Sequence, residues 1–343
     1  MNNPYKNQAI SYLMPLYHKG VKRNLAKGVR LYDYRPLSSN IITSEATFKK
    51  YVICISAFLE YCANNTLILD FEDKEAVKNI ASKYLIEKSN SVKVPTLKTY
   101  RSAISKAFRI NDGASIIELP IFCVEDITRE RGEVPEKVIK AREINKELVT
   151  FVKATGLRMR GTRAIEKANV MEYAGHTYIV VREKGGRIRA CPIIADDVDI
   201  NVINRMIFEA NDNKIIKKIP KNLWMHDLRA RFAGRLYCLL ERDLEKLPRQ
   251  QLYIRKNGTI YDRFALSTVA IALGHGGHRI EDMVRSYSHR IPEEWAELER
   301  LDQTELAKLK EMAREYETGL RELAKHGLAV KYFTDNIWGR KNG

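Results

Sequence analysis

The sequence has no apolar run that approaches the roughly eighteen residues needed for a membrane-spanning helix. Its N-terminus also lacks the apolar core of a signal peptide. No CxxC pair is present, so the cysteine arrangement common in structural zinc sites is missing. These absences argue against a membrane protein, a secreted protein and a zinc-binding module.

Cysteine is scarce and unevenly placed. The five cysteines are widely spaced, odd in number and mostly set among apolar residues. Such a pattern is typical of buried thiols in a reducing compartment. We therefore expect a cytoplasmic protein that has access to the nucleoid. The cysteines are Cys54, Cys62, Cys123, Cys191 and Cys238.

Acidic residues are outnumbered by basic ones. The chain has 43 Asp and Glu against 59 Lys and Arg, which gives a formal net charge of +16. Chains this basic usually bind a polyanion. Since 45% of the residues are hydrophobic and 30% are charged, the positive charge is expected to lie on folded surfaces, and a length of 343 residues suggests two domains.

The N-terminal half is predicted to be helical after a basic arm. Residues 1–40 show no clear period and are interpreted as an extended or irregular arm. From Ser44 onward, apolar residues recur every three or four positions, as in an amphipathic helix that ends near Asn64. A second helix is predicted after the acidic start at Asp73, and we assign 41–125 to one helical domain. The apolar positions of the first helix are Phe48, Val52, Ile55, Leu59 and Cys62.

A third helix is predicted after Pro95, with Leu97, Ile104 and Phe108 on its buried side. Basic side chains project from its neighbouring faces. They form either a surface that contacts DNA phosphates or a solvated charged face, and the sequence favours neither alternative. The candidate DNA-binding residues are Lys98, Arg101, Lys106 and Arg109 on this helix and Arg187 further along the chain.

Residues 126–145 are highly charged, contain one Gly and one Pro, and are predicted to be an interdomain linker. The pattern then changes to a helix, followed by alternating apolar residues, a Gly-Gly turn and a second strand. This order predicts a β-hairpin within a second domain, residues 146–343.

Side chains that can hold a phosphate are scattered through this second domain. His226 and Arg229 lie three residues apart on a predicted helix, so they share a face on which both can donate to the same anion. Arg158 follows a Thr-Gly pair, Lys184 precedes the Gly-Gly turn, and His275 lies further on. Each residue alone is compatible with an ordinary surface position.

Taken in order, these motifs resemble those of tyrosine recombinases of the phage integrase family. The resemblance covers residues 146–290, and residues 44–123 resemble the family's core-binding domain. It implies a mainly α fold with a small β-sheet or hairpin, made of a helical core-binding domain and an α+β catalytic domain. The matching motifs are TGLR at 155–158, KGGRIRACPI at 184–193, HDLRARFA at 226–233, and LGH at 273–275 followed by Tyr287 in RSYSH.

The resemblance implies chemistry that needs no metal and no cofactor. Tyr287 would attack a DNA phosphodiester and form a covalent 3′-phosphotyrosine. Arg158 and Arg229 would hold the non-bridging oxygens, and Lys184 would protonate the leaving 5′ oxygen. His226 would act as a base or a further donor. His275 would position the phosphate, and four protomers would assemble on two DNA sites.

The sequence departs from the family pattern near three of these residues. Gly161 stands where the family has a Glu, which leaves Arg160 as a possible substitute for Arg158. Tyr287 lies twelve residues after His275, whereas the family spacing of about nine would place His278 in that role. The positioning histidine is therefore His275 or His278.

Two further segments are longer than the resemblance predicts. Residues 240–264 contain Asn257-Gly258 between apolar residues, which predicts a hairpin that contacts DNA, contacts another protomer, or is a tolerated surface excursion. After Tyr287, residues 291–343 form an amphipathic helical tail. The resemblance favours packing of this tail on an adjacent protomer, with packing on its own domain as the alternative.

The sequence thus favours a site-specific recombinase that integrates or excises a mobile element. Two alternatives remain open: a DNA-binding regulator that has lost the chemistry, and a relaxing enzyme of the type IB topoisomerase kind.

Overall fold

The structure, a computed structural model, describes residues 4–19, 41–67, 70, 72–110, 116–119, 134–182, 188–210, 214–275 and 279–338. The chain divides into two compact units, Met1–Asp126 and Ile127–Gly343. The described residues are mainly α-helical, and their small antiparallel sheets lie in the second unit. The predicted fold class, mainly α with a small β component, is confirmed.

The first unit is a helical cluster. Asp73 begins one of its helices by accepting hydrogen bonds from the backbone N–H groups of Glu75 and Ala76. The predicted apolar stripe of the longest helix is buried in the core, except that Phe48 is only partly buried. The helices are α1 (Lys6–Leu13), α2 (Glu45–Asn64), α3 (Lys74–Ser89) and α4 (Val94–Ala107).

The expectation of an irregular arm is wrong for its first part, because residues 6–13 form helix α1. Ala9 and Leu13, one turn apart, are fully buried against the other helices of the unit. Two small contacts of this kind leave little periodic signal, since packing rather than local propensity stabilises a short helix. Residues 20–40 of the predicted arm lie outside the described residues.

The second unit contains the remaining elements. Its helices are α5 (Glu136–Ile144), α6 (Lys146–Thr155), α7 (Met159–Ala164), α8 (Asp197–Phe208), α9 (Met225–Leu240), α10 (Arg263–Ala272), α11 (Ile280–Tyr287), α12 (Ile291–Leu298), α13 (Gln303–Lys325) and α14 (Leu328–Phe333). Its strands are β1 (Val170–Tyr173), β2 (His176–Arg182), β3 (Ile188–Pro192), β4 (Leu252–Ile254) and β5 (Ile260–Asp262). Helix α9 is buried along almost its whole length.

The predicted hairpin is confirmed as β2 and β3, which pair antiparallel with Tyr178 opposite Pro192. Strand β1 adds a third antiparallel strand, so the order is β1-β2-β3. Residues 183–187, which include Lys184 and Arg187 and were predicted to form the turn, lie outside the described residues.

The predicted linker is partly helical. Residues 136–144 form α5, with Val138 fully buried, and Arg142 donates hydrogen bonds to the Leu223 carbonyl oxygen and to Asp227. High charge suggested a solvated segment, but Arg142 uses its charge in contacts with other elements of the unit.

Two segments are longer than the resemblance predicts, the hairpin region 240–264 and the tail after Tyr287. Both pack against their own chain. In the predicted hairpin of β4 and β5, Tyr261 is buried and Asp262 accepts hydrogen bonds from the Arg242 guanidinium at 2.7 Å. In the tail, the Tyr316 hydroxyl of α13 donates to the Thr177 carbonyl oxygen of β2 at 3.0 Å. The tail of the isolated chain therefore packs on its own sheet.

Among the described residues, no helix is both long enough and apolar enough to span a membrane.

Candidate active site

Arg229 lies in the second turn of α9 and is fully buried. Its guanidinium donates to the carbonyl oxygens of Gly156 and Leu273, the latter at 2.6 Å, and its Nε donates to the Tyr287 hydroxyl oxygen at 3.1 Å. Burial, together with the charges of the nearby Arg189 and Arg158, lowers the pKa of Arg229 to about 10. Arg229 is therefore still a cation at neutral pH.

Tyr287 is the last residue of α11, and only 2% of its surface is exposed. The Arg229 guanidinium carbon lies 5.8 Å from the centre of its ring. The ring centres of His226 and His275 lie 5.4 and 6.1 Å from that of Tyr287. The hydrogen bond from Arg229 therefore fixes the phenol oxygen beside a guanidinium group.

Arg158 reaches the same cluster from the turn between α6 and α7. Helix α6 ends at Gly156, whose φ of +58° is left-handed, and a Cβ there would lie 2.3 Å from the ring of Phe232. Glycine is therefore required at the turn that places Arg158. Arg158 Nη2 lies 3.3 Å from His275 Nε2.

His275 is held as a neutral acceptor. Because a guanidinium only donates, Nε2 accepts from Arg158, and the ring proton is assigned to Nδ1, which lies 3.8 Å from Asp282 Oδ2. Burial, together with the charges of Arg229 and Arg158, lowers the pKa of His275 to about 4. The imidazole is thus uncharged at neutral pH and faces the arginine cluster.

A third arginine of the cluster, Arg189 of β3, is buried and was missed from the sequence. It is 5% exposed and donates to the carbonyl oxygens of Ala272 and Gly156, the latter at 3.3 Å. Its strand is otherwise apolar, so a lone buried arginine within it was the available signal. Arg158, Arg189 and Arg229 together make a concentrated positive charge that suits an anion.

Asp227 joins the start of α9 to the segment after Tyr287. It is 2% exposed and accepts hydrogen bonds from Arg142 Nη2 and Arg290 Nε, each at 2.9 Å. Burial alone would raise the pKa of Asp227, but the hydrogen bonds from Arg142 and Arg290 outweigh it and lower that pKa. The carboxylate thus ties α5, α9 and the chain just beyond Tyr287 together.

A cleft of about 620 Å³ opens beside these residues. His226 is exposed in this cleft, and Arg229 also lines it. Both cationic and apolar side chains line the cleft. The lining residues are Arg158, Met159, Lys221, Trp224, Met225, His226, Asp227 and Arg229.

The structure thus brings five predicted site residues together, although they are spread over 130 positions from the first to the last. His275 is near Arg158, whereas Arg160 is exposed. Lys184, Arg187 and His278 lie outside the described residues. The residues of the cluster are Arg158, His226, Arg229, His275 and Tyr287.

Three of the candidate DNA-binding residues lie on α4, whereas Arg109 lies beyond its end at Ala107, and their surroundings differ. Lys98 and Arg109 are exposed and Lys106 is half-buried, whereas Arg101 donates a hydrogen bond to the Ile117 carbonyl oxygen at 2.9 Å. Contact of these residues with DNA stays a prediction. Among the described residues, no group of three or more His, Cys, Asp and Glu side chains is placed to hold a metal ion.

No protein-family model and no curated protein matches the chain. Among solved structures, the chain is similar to the XerH site-specific recombinase in its post-cleavage complex with palindromic difH substrate. The identity is 15%, the match covers 73% of this chain and 79% of that chain, and the TM-score is 0.41. The likeness is distant, and the function proposed below rests on the geometry of the site.

Proposed function

We propose that this chain is a site-specific DNA recombinase that cleaves and rejoins DNA through a 3′-phosphotyrosine at Tyr287. The hydrogen bond from Arg229 Nε to the Tyr287 hydroxyl oxygen, close to the arginines Arg158 and Arg189, carries the proposal. It joins the proposed nucleophile directly to a guanidinium from a distant part of the same chain. The resemblance of the sequence motifs to phage integrases supports the same chemistry.

The arginines supply the charge that a five-coordinate phosphorus requires. A guanidinium has five N–H donors. Arg229 donates three of them, to the carbonyl oxygens of Gly156 and Leu273 and to the hydroxyl oxygen of Tyr287. Two N–H groups are left for a non-bridging phosphate oxygen. Arg158 would bind the other non-bridging oxygen, and both would stabilise negative charge that grows in the transition state.

The transfer is a balanced exchange of two P–O bonds. The Tyr287 oxygen bonds to phosphorus as the bond from phosphorus to the 5′ oxygen breaks, and His226 accepts the tyrosine proton. Lys184 protonates the 5′ oxygen that leaves, and neutral His275 helps to position the phosphate. A 5′ hydroxyl of a second DNA strand then reverses the attack, so no external energy source is needed.

Strand exchange between two duplexes would require four protomers on two DNA sites. The biological role we favour is the integration or excision of a mobile element. The DNA that flanks the gene would contain the corresponding attachment repeats.

A suicide substrate tests this proposal. A nicked duplex that contains these repeats is incubated with the protein, and a covalent protein–DNA adduct is sought on a denaturing gel. We expect an adduct with the unmodified chain and none with Tyr287→Phe. The matched control, Tyr253→Phe on β4, should form the adduct normally.

Three other results would contradict the proposal. Sequence-specific binding without any adduct would indicate a regulator that has lost the chemistry. Relaxation of supercoiled DNA without strand transfer would indicate a topoisomerase. An adduct that survives Tyr287→Phe would show that another residue is the nucleophile.

A further inference from the structure

Trp224, the residue that precedes α9, has an unusual backbone conformation. Its φ and ψ angles of 49° and 55° are left-handed, a region that costs a non-glycine residue about 1–2 kcal/mol. It occupies the N-cap position, where Ser, Thr, Asp or Asn would normally supply a side-chain acceptor, and it supplies none. Neither the helix nor the turn explains a tryptophan here, and backbone strain of this kind often marks a functional position.

The indole lies at the cleft of the candidate active site. Trp224 and Met159 are each 37% exposed, and both line the cleft together with cationic side chains. A large aromatic surface in contact with solvent gives up the stabilisation that burial would provide. The exposed apolar wall therefore suits a ligand that is both anionic and flat.

Backbone hydrogen bonds fix the position of Trp224 relative to the arginine cluster. The Trp224 carbonyl oxygen accepts hydrogen bonds from the N–H groups of Asp227 and Leu228, at 2.8 and 3.3 Å. Asp227 is itself held by Arg142 and Arg290. Trp224 thus stands at a set position at the start of the helix that carries Arg229.

We propose that Trp224, with Met159 beside it, is a stacking surface for the deoxynucleoside adjacent to the phosphate held by Arg158 and Arg229. A nucleotide contains both a phosphate and a base. The cleft is lined by cations that can bind the phosphate and by an aromatic side chain on which the base can stack. Stacking on an aromatic side chain tolerates any base, because every base has a π-face. This inference rests on the proposed function and adds a nucleoside-binding residue to it.

Fluorescence of Trp224 tests the contact directly. The chain has three tryptophans, so Trp295→Phe and Trp338→Phe together leave Trp224 as the single reporter. This protein is titrated with the nicked duplex while the anisotropy of a dye on the DNA reports binding. We expect indole emission to be quenched in step with binding, and the quench to be lost when the bases flanking the scissile phosphate are replaced by abasic sites.

Two substitutions at Trp224 separate stacking from folding. Trp224→Asn tolerates the left-handed conformation and adds a capping acceptor, so the thermal midpoint should not fall through loss of the cap. We expect it to bind the nicked duplex about tenfold more weakly than Trp224→Phe, which keeps an aromatic face. On the abasic duplex, the two variants should bind equally.

The outcomes distinguish failure of the stacking surface alone from failure of the proposed function. DNA binding by anisotropy with unchanged Trp224 emission, or equal loss of affinity in the Asn and Phe variants, would overturn the stacking surface and leave the recombinase intact. A chain that binds no DNA would overturn the proposed function and the stacking surface together.

Discussion

The Nε of Arg229 donates a hydrogen bond to the hydroxyl oxygen of Tyr287 at 3.1 Å, across 58 positions of sequence. Both side chains are buried, and they belong to the same chain. The candidate nucleophile is therefore held by the guanidinium that would also bind the phosphate. This arrangement leads to predictions about geometry as well as charge.

Arg229→Lys should abolish most cleavage although it keeps the positive charge. An ammonium group cannot reach Gly156, Leu273 and Tyr287 together in the planar geometry of a guanidinium. We expect adduct formation with the nicked duplex to slow by roughly 10²- to 10³-fold, as when one transition-state donor is removed. Salt-sensitive DNA binding should stay nearly unchanged, because most phosphate contacts lie elsewhere.

The matched control for this prediction is Arg300→Lys, at an exposed position after α12. Both rates are measured by single-turnover adduct formation on denaturing gels. Equal rates for the two variants would show that the Arg229 geometry has no role in the chemistry.

Local patterns predicted the elements that carry the site, because helix and strand periods are visible within a few residues. The stripe of α2 and the pairing of β2 with β3 are confirmed on that basis. His226 and Arg229 were likewise predicted to share a helix, and both lie on α9. What remained open was which distant segments meet.

Long-range partners were not predictable in this way. Asp227 was part of a recognised motif, but its partner Arg290 lies 63 positions away and its other partner, Arg142, lies in a segment predicted to be a linker. Arg189 was hidden in an apolar strand. Each of these residues acquires its partners only when separate elements pack, so the local pattern does not show which residues it will contact.

The ion pair between Asp227 and Arg290, which holds the chain just beyond Tyr287, should contribute to the free energy of unfolding. Asp227→Asn removes the charge that two buried guanidinium groups share, and we expect it to lower the free energy of unfolding by about 3–5 kcal/mol. Arg290→Gln should cost less, and the double variant should cost less than the sum of the two. Urea unfolding of the four proteins measures this coupling.

Glu293→Gln is the control for this cycle, since Glu293 also contacts Arg290 but its side chain is 46% exposed. Its loss should cost at most about 1 kcal/mol. Strict additivity of the Asp227 and Arg290 substitutions would show that the pair does not act as a unit.

Gly156→Ala should destabilise the chain by more than the strain of the left-handed backbone angle alone. A left-handed φ costs alanine about 1 kcal/mol, and here the added methyl group would also overlap the packed ring of Phe232. Gly327→Ala has nearly the same φ, +62°, but open space around its Cβ. We expect thermal unfolding to show an additional loss of about 1–3 kcal/mol for Gly156→Ala, and equal losses would contradict the packing described for this turn.

His275 should titrate far below an ordinary histidine. Its pKa of about 4, against 6.5 for an ordinary histidine, means that between these values the unfolded chain binds a proton that the folded chain does not. The contribution of His275 to stability is therefore full above pH 6.5 and is lost as the pH falls toward 4. Nuclear magnetic resonance of the imidazole protons, assigned with His275→Gln, should give a midpoint near 4 that rises when inorganic phosphate is added, because an anion favours the charged ring. A midpoint near 6.5 without phosphate would show that the arginine cluster does not surround His275 in solution.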